Sequence, residues 1–360
     1  MPIKKSKNQL YIMKEKIITM AVAIRETFEN KGIKNTVSYT ENLKEKSLYS
    51  EITLDTLELL EDFAYDIYVP KVGYFKVSPV SFEDKPKRLF GKVAIITGGA
   101  QGFGLGIAKE MAKQGAFIAI ADINYPAAKE SACEINNLLN DEKAVAVKVD
   151  VTDENSVKEM FYETILAFGG IDIFVNNAGI VRAGSIDELS LDNFELVTNV
   201  NYTAYFLGVK YASIIMKTEY KYNPQKYFDI IQINSKSGLE GSNKNFAYSG
   251  SKFGGIGLTQ SFALELAPFN IKVNSICPGN YLDGPLWSDP ENGLFTQYLN
   301  AEKVPGAKTV ADVKKFYEAK VPQNRGCLPL DVAKAIFYCV EQEYETGQAI
   351  PVTGGQLMLS

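Results

Sequence analysis

The stretch Ile96-Thr97-Gly98-Gly99-Ala100-Gln101-Gly102-Phe103-Gly104-Leu105-Gly106 narrows the fold more than any other part of this chain. An apolar run, Val93 to Ile96, leads into it, and a helical pattern begins near Phe103. A strand that stops at a glycine-rich turn and restarts as a helix aims its backbone N–H groups at one point, and the helix dipole makes that point attractive to phosphate. The glycines let the chain reverse, let a pyrophosphate approach the backbone, and let helix and strand pack closely. The spacing is Gly-x-x-x-Gly-x-Gly rather than Gly-x-Gly-x-x-Gly, so the residues downstream decide its meaning.

Downstream, short apolar and β-branched runs start near Val93, Phe117, Ala144, Ile171, Asp229, Lys272 and Ala349. Helical patterns lie between most of them, at 103–114, 126–139, 154–168, 191–217 and 247–267. This alternation predicts an α/β fold, a doubly wound parallel sheet of the Rossmann type with right-handed crossovers. Ligands of such sheets bind outside the carboxyl ends of the strands, near the switch point. Residues 89–360 read as this domain.

Residues 1–88 read as a small, mainly helical extension of unknown role, packed on the main domain or on a partner subunit. Apolar spacing predicts helices over 10–29 and 54–66, the second with Leu57, Leu60, Phe63 and Ala64 on one face. Residues 68–80 read as extended, and Pro70 and Pro79 limit any strand there to an edge. Residues 82–88 read as a linker.

With 360 residues and a net charge of −5, the chain can bury a full core and has no electrostatic reason to bind nucleic acid or an anionic membrane. It has no histidine, and Cys133, Cys277, Cys327 and Cys339 lack paired metal spacing, so neither a metal site nor a histidine-based triad is expected. The thiols read as reduced and the protein as cytoplasmic. The apolar run 17–24 is too short to span a bilayer and lacks a signal-peptide cleavage site.

Asp122 follows the second strand pattern about 20 positions beyond the turn, where an acidic residue can bind the adenosine ribose and repel a 2′-phosphate. No Lys or Arg stands at Gly99, Ala100, Gln101, Ile123 or Asn124, which favours NAD over NADP. Asp150-Val151 ends the third strand, and Asn176-Asn177-Ala178-Gly179 ends the fourth. The sharpest signal is Tyr248-Ser249-Gly250-Ser251-Lys252, whose phenol and ammonium share a helix face. A tyrosine titrates near ~10 and is a poor base until a nearby cation stabilises its phenolate. Ser235 ends the fifth strand upstream, and Asn201 lies in a long helical segment.

In order and spacing, Thr97-Gly98-x-x-x-Gly102-x-Gly104, Asn176-Asn177-Ala178-Gly179, Asn201, Ser235, Tyr248-x-x-x-Lys252 and Pro278-Gly279 resemble the short-chain dehydrogenase/reductase family over residues 89–360. The resemblance implies an NAD-dependent enzyme with Tyr248 as general acid/base and Ser235 holding the substrate oxygen. Lys252 would bind the nicotinamide ribose and bias Tyr248, and Asn201 would anchor a water relay. The cofactor would meet Gly98, Gln101, Gly102, Phe103, Gly104, Asp122, Asp150, Val151, Asn177, Ala178, Gly179, Tyr248, Lys252, Pro278 and Gly279. One departure concerns Asp283, which stands where many members carry a carboxamide-gripping Thr. A homo-oligomer, tetramer or dimer, is also implied.

The stretches Gly279-Asn280-x-Leu282-x-x-Pro285, Val321-Pro322-x-x-Arg325-Gly326-Cys327 and Val352-Thr353-Gly354-Gly355-Gln356 resemble the bacterial sorbitol-6-phosphate 2-dehydrogenases. That implies interconversion of sorbitol 6-phosphate and fructose 6-phosphate. A sugar phosphate favours cations at the cleft, and Arg182, Lys236 and Arg325 are the candidates. The insertion at about 280–328 reads as a substrate lid, its Gly and Pro residues suiting a hinged loop. The rival readings are a dehydrogenase of an unphosphorylated polyol or other secondary alcohol and, more remotely, a non-catalytic NAD-binding regulator.

Overall fold

The computed structural model describes residues 7–41, 50–59, 66–80, 87–291, 293–300, 302 and 304–358. Its N-terminal part opens with α1 (Lys7–Asn30), followed by β1 (Asn35–Thr40), β2 (Ser50–Glu51), β3 (Asp66–Val69) and β4 (Gly73–Pro79). These strands form a sheet in the order β1-β4-β3-β2. The sheet corrects several expectations. Strand β1 was hidden because its residues only half alternate, with Asn35 and Val37 turned inward. The helix expected over 54–66 is a 3-10 stretch at Leu54–Leu59, and Asp66 already belongs to β3; Leu60, Phe63 and Ala64 lie outside the described residues, as does most of the expected linker. Strand β4 is internal rather than an edge. Pro70 falls in the turn after Val69, and Pro79 closes the strand, so neither proline costs a central ladder bond.

The second sheet has seven parallel strands. In chain order they are β5 (Val93–Thr97), β6 (Phe117–Asp122), β7 (Ala144–Lys148), β8 (Ile173–Asn176), β9 (Phe228–Ile233), β10 (Ile271–Pro278) and β11 (Ala349–Val352). Their spatial order is β11-β10-β9-β8-β5-β6-β7. Every residue of β5, β6, β8, β9 and β10 is buried, as helices on both faces require. The order reverses between β5 and β8, which opens a crevice at their carboxyl ends. The covering helices are α2 (Gly102–Lys113), α3 (Tyr125–Leu139), α4 (Glu154–Phe168), α5 (Leu191–Thr198), α6 (Ala204–Tyr222) and α7 (Phe246–Leu266). The single helix expected over 191–217 is instead α5 and α6 joined by a π-helical turn, Asn199–Thr203, which carries Asn201.

The insertion folds as α8 (Pro285–Ser288), α9 (Leu294–Asn300) and α10 (Val310–Glu318), and α11 (Pro329–Glu341) follows. It is a packed helical unit, not the hinged loop its glycines and prolines suggested. Leu282, Trp287, Phe295, Val304 and Val313 form its own small core. The Trp287 ring lies 5.2 Å from Phe295 and 5.0 Å from Tyr317.

The apolar face of α1 joins the main core. Met20 to Ile24 and Phe28 are buried in one cluster with Phe161, Phe174, Tyr205 and Met216. A buried charge cluster lies beside this contact. Arg25 Nη2 meets Asp172 Oδ2 at 2.6 Å, and Lys226 Nζ meets Glu26 at 2.6 Å, Asp172 at 2.8 Å and Glu219 at 3.0 Å. Asp172 Oδ2 also accepts from the Val93 N–H (2.6 Å), which places the cluster at the amino ends of β5 and β8, away from the glycine turn.

Candidate active site

The glycine turn sits in the crevice. Gly98 and Gly102 have φ of 61° and 58°, a region closed to most side chains. A Cβ on Gly104 would run into the Gly98 carbonyl oxygen and the Asn177 amide, while one on Gly102 would meet nothing within 4 Å. The turn therefore packs tightly beneath and lies open above, where the first turn of α2 presents its N–H groups without a side-chain cap from Gln101. This cradle fits a pyrophosphate.

Neighbouring strand ends hold the turn in place. The Asn177 amide donates to the Thr97 and Gly98 carbonyls (2.9 and 3.0 Å), and Thr97 Oγ1 accepts from the N–H groups of Asn177 and Ala178 (3.0 and 3.1 Å). Asp122, only 9% exposed, accepts from the Ala100 N–H at 3.1 Å and the Asn124 N–H at 2.9 Å. Its carboxylate is thus held against the glycine turn at the end of β6. Asp150, just past β7, is occupied locally and accepts from the Thr152 N–H and hydroxyl. Val151 is half-buried beside it. Phe103 stacks on Tyr281 at 4.9 Å, tying the turn to the root of the helical insertion.

Ser235, Tyr248, Lys252 and Asn201 come together across the crevice. Asn234 fixes the first of them: its Oδ1 accepts from the Ser235 N–H (2.8 Å), and its Nδ2 donates to the Lys252 carbonyl (2.9 Å), clipping the end of β9 to α7. The Tyr248 hydroxyl hydrogen-bonds to Ser235. Lys252 Nζ donates to the Ile233 carbonyl (2.9 Å) and lies 5.6 Å from the Tyr248 ring centre. Asn201 clasps Ile180, accepting from its N–H (2.8 Å) and donating to its carbonyl (2.9 Å), with Ser251 Oγ at 3.2 Å. A Cβ on Gly179 would lie 3.3 Å from Asn201 Oδ1 and 3.7 Å from Lys252 Nζ, so Gly179 opens the passage between them.

The electrostatics differ from the sequence expectation for Tyr248. Burial raises its pKa above that of an ordinary phenol, the Ser235 hydrogen bond offsets this in part, and Cys277 adds to the rise. Burial also pushes Lys252 down to about 8. The two groups share a dry site in which each charged form is penalised.

The three candidate substrate cations part company. Lys236, directly after Ser235, is half-buried. Arg182 is exposed and donates to the Val181 carbonyl. The Arg325 guanidinium grips Asp331 at 2.5 and 2.9 Å, so its charge is already matched. It lines a cavity of ≈ 380 Å³ with Gly279, Thr353 and Gln356, and neither Ser235, Tyr248 nor Lys252 reaches that cavity. Asp283 pairs with Lys314 at 2.5 Å and is thereby drawn into the insertion. The sequence reading missed Asn234 and Cys277, which flank the catalytic candidates; only their positions beside Ser235 and Pro278 hinted at them.

Comparison with known proteins agrees with this geometry. The short chain dehydrogenase family matches residues 92–288, the span that holds every one of these catalytic candidates. The chain belongs to the short-chain dehydrogenase/reductase family. As a member it is related to the sorbitol-6-phosphate 2-dehydrogenase of Escherichia coli, with 38% identity over 269 residues, 74% of this chain and 99% of that enzyme. The L-2,3-butanediol dehydrogenase of Corynebacterium glutamicum is 34% identical over 74% of this chain and 98% of its own. The crystal structure of the Erwinia amylovora sorbitol-6-phosphate 2-dehydrogenase superposes with a TM-score of 0.67 at 38% identity, over 74% of this chain and all of that one.

Proposed function

We propose that this oxidoreductase oxidises a secondary alcohol of a sugar-alcohol phosphate with NAD, in the manner of sorbitol 6-phosphate to fructose 6-phosphate. The observation that carries the reading is the joining of Ser235, Tyr248 and Lys252 beside Lys236, a half-buried ammonium at the cleft. The 38% identity to an enzyme named for that substrate supports it. The Gly98–Gly104 cradle with Asn177, Ala178, Gly179, Pro278 and Gly279 would hold the dinucleotide, and Asp122 favours NAD over NADP by repelling a 2′-phosphate.

When bound, the oxidised dinucleotide supplies the hydride acceptor and a cationic ring beside the phenol. Ser235 holds the substrate hydroxyl against Tyr248. Tyr248 takes the hydroxyl proton as the carbon–hydrogen bond breaks, leaving a ketone. The positive charge of Lys252 favours the phenolate, and the proton then leaves past Lys252 and Asn201. Tyr248 needs the added cation, because burial alone holds its pKa high.

A second reading, oxidation of an unphosphorylated polyol or diol, is favoured by the 34% identity to a butanediol dehydrogenase. A non-catalytic regulator would have no need of the assembled Ser235–Tyr248–Lys252 set. An absorbance screen for NADH over sorbitol 6-phosphate, sorbitol and 2,3-butanediol separates these readings. Preference for the phosphate ester supports the first, and equal or greater turnover of a free polyol overturns it.

We also infer a homo-oligomer built through α6 and α7, where Phe206, Ile214, Phe253 and Leu264 are exposed. Light scattering that finds a monomer at micromolar concentration would refute this. The free cysteines support a cytoplasmic enzyme, and no described helix is long and apolar enough to cross a membrane.

A further inference from the structure

We propose that Asn234 is a positioning residue for the reaction: it fixes the register of α7 against β9 and so holds the Lys252 ammonium where its charge acts on the Tyr248 phenol. This role rests on Tyr248 acting as the general base, as read above, and adds to that reading what keeps the base and its cation in place.

Asn234 is buried just past the end of β9, and its amide is fully engaged. Oδ1 accepts from the Ser235 N–H at 2.8 Å, and Nδ2 donates to the Lys252 carbonyl at 2.9 Å and to Gln232 Oε1 at 2.8 Å. The Lys252 carbonyl lies inside α7, where the helix ladder already supplies a donor four residues on. The bond from Asn234 is therefore not needed to satisfy that carbonyl; its consequence is to set where α7 stands. One side chain thus touches the backbone of the residue that holds the substrate oxygen and of the residue that supplies the cation.

The clip is backed by a buried polar chain. Gln232 Oε1 also accepts from Ser275 Oγ on β10 at 2.8 Å. Ser275 Oγ lies 2.8 Å from Thr259 Oγ1, which lies 3.0 Å from the Tyr205 hydroxyl on α6. All four residues of this chain are buried, where a broken bond leaves a costly unpaired group. Thr259 follows Lys252 by seven residues, about two turns of α7, so the helix is pinned to the sheet at two points on one face. From this fixed helix Lys252 Nζ reaches the Ile233 carbonyl at 2.9 Å and stays 5.6 Å from the Tyr248 ring centre. Gly238 abuts the clip: a Cβ there would lie 2.3 Å from Asn234 Oδ1 and 3.1 Å from the Lys252 carbonyl carbon.

The test measures kcat, KM and the pH profile of kcat/KM for the full chain and its Asn234→Ala, Gly238→Ala and Arg25→Met variants, oxidising the alcohol that wild type turns over best. Asn234→Ala removes the clip, and Gly238→Ala pushes Oδ1 off the Ser235 N–H without altering a polar group. A misplacement of about 1 Å can cost on the order of 10²-fold, so both should lose about tenfold or more in kcat, with KM within about threefold of wild type. As the cation moves away the phenolate is less favoured. The acidic limb of kcat/KM should then rise by about 0.3 pH unit per Å of added separation, at an effective dielectric near ~20. Arg25→Met, destabilised at the far, amino end of the sheet, should keep the limb of wild type. If circular dichroism shows that Asn234→Ala does not fold, Gly238→Ala decides alone. A folded clip variant with wild-type kcat, or one whose kcat falls while the limb stays in place, overturns the proposal, as does a limb that moves equally in Arg25→Met. A wild type without an acidic limb, or a Tyr248→Phe enzyme as active as wild type, overturns the general-base reading and the role of Asn234 with it.

Discussion

Replacing Arg25 with Met removes a fully buried cation while keeping a long apolar side chain. Its guanidinium lies 2.6 Å from Asp172, 3.2 Å from Glu29 and 3.4 Å from Glu219. Without it, Lys226 is the one buried cation left facing Glu26, Glu29, Asp172 and Glu219 among the described residues. Breaking a buried pair by deleting one partner costs about 3–5 kcal/mol, because the other charge stays in the dry interior. For domains of roughly 150–250 residues each kcal/mol moves the melting temperature about 2–4 °C, so a loss of roughly 6–20 °C is expected. The cost should also depend on pH. Burial alone would raise the Asp172 pKa; Arg25 and then Lys226 override it and hold the carboxyl well below its ordinary range. A depressed carboxyl adds stability that is present above its unfolded pKa and is lost as pH falls through the folded value. The Asp172 part of the gap between variant and wild type should therefore be present at neutral pH and shrink below about pH 4, while Glu219, raised by burial to about 8, adds its part only as pH rises through that value. Thermal unfolding followed by circular dichroism at several pH values measures both. A variant that melts within about 2 °C of wild type at neutral pH would refute the reasoning.

Three further outcomes follow from the site. Tyr248→Phe should cut kcat by about 10²–10⁴-fold, as expected for losing a general acid/base, while NAD affinity measured by calorimetry stays close to wild type. Lys252→Met should abolish polyol-dependent NADH formation without lowering the melting temperature at pH 7. Burial holds Lys252 down to about 8, so its charged form weighs against folding below that pH. The variant's relative advantage should accordingly shrink as pH rises through about 8 toward the unfolded lysine value. Asp122→Ala should narrow the preference for NAD over NADP in kcat/KM, and it should lower the melting temperature as well, because the Ala100 N–H loses its acceptor.

The central sheet was legible in the sequence because its strands are buried on both faces and read as unbroken apolar runs, as in Phe117–Asp122. The catalytic candidates were legible because their spacing encodes geometry: Tyr248 and Lys252 fall on one face of α7 whatever surrounds them. The N-terminal sheet was not. Strand β1 presents only Asn35 and Val37 inward, and β2 is two exposed residues long, so neither leaves a periodic signal. The insertion misled for a related reason. Its glycines and prolines fall between short helices whose core is formed by residues far apart in sequence, Leu282 against Val313. The pairing that occupies Arg325 was equally hidden, since a basic residue and Asp331 six positions on say nothing of a bidentate contact. Nor could local sequence show that Tyr248 is pushed upward, because that shift comes from burial by the whole fold.

The most direct measurement follows a single atom. Sorbitol 6-phosphate carrying deuterium at the carbon that becomes the ketone of fructose 6-phosphate is turned over with NAD by the purified chain, and both products are analysed by mass spectrometry. Monodeuterated NADH together with unlabelled fructose 6-phosphate is the predicted result. Unlabelled NADH, or no NADH above that formed by Tyr248→Phe, would contradict it.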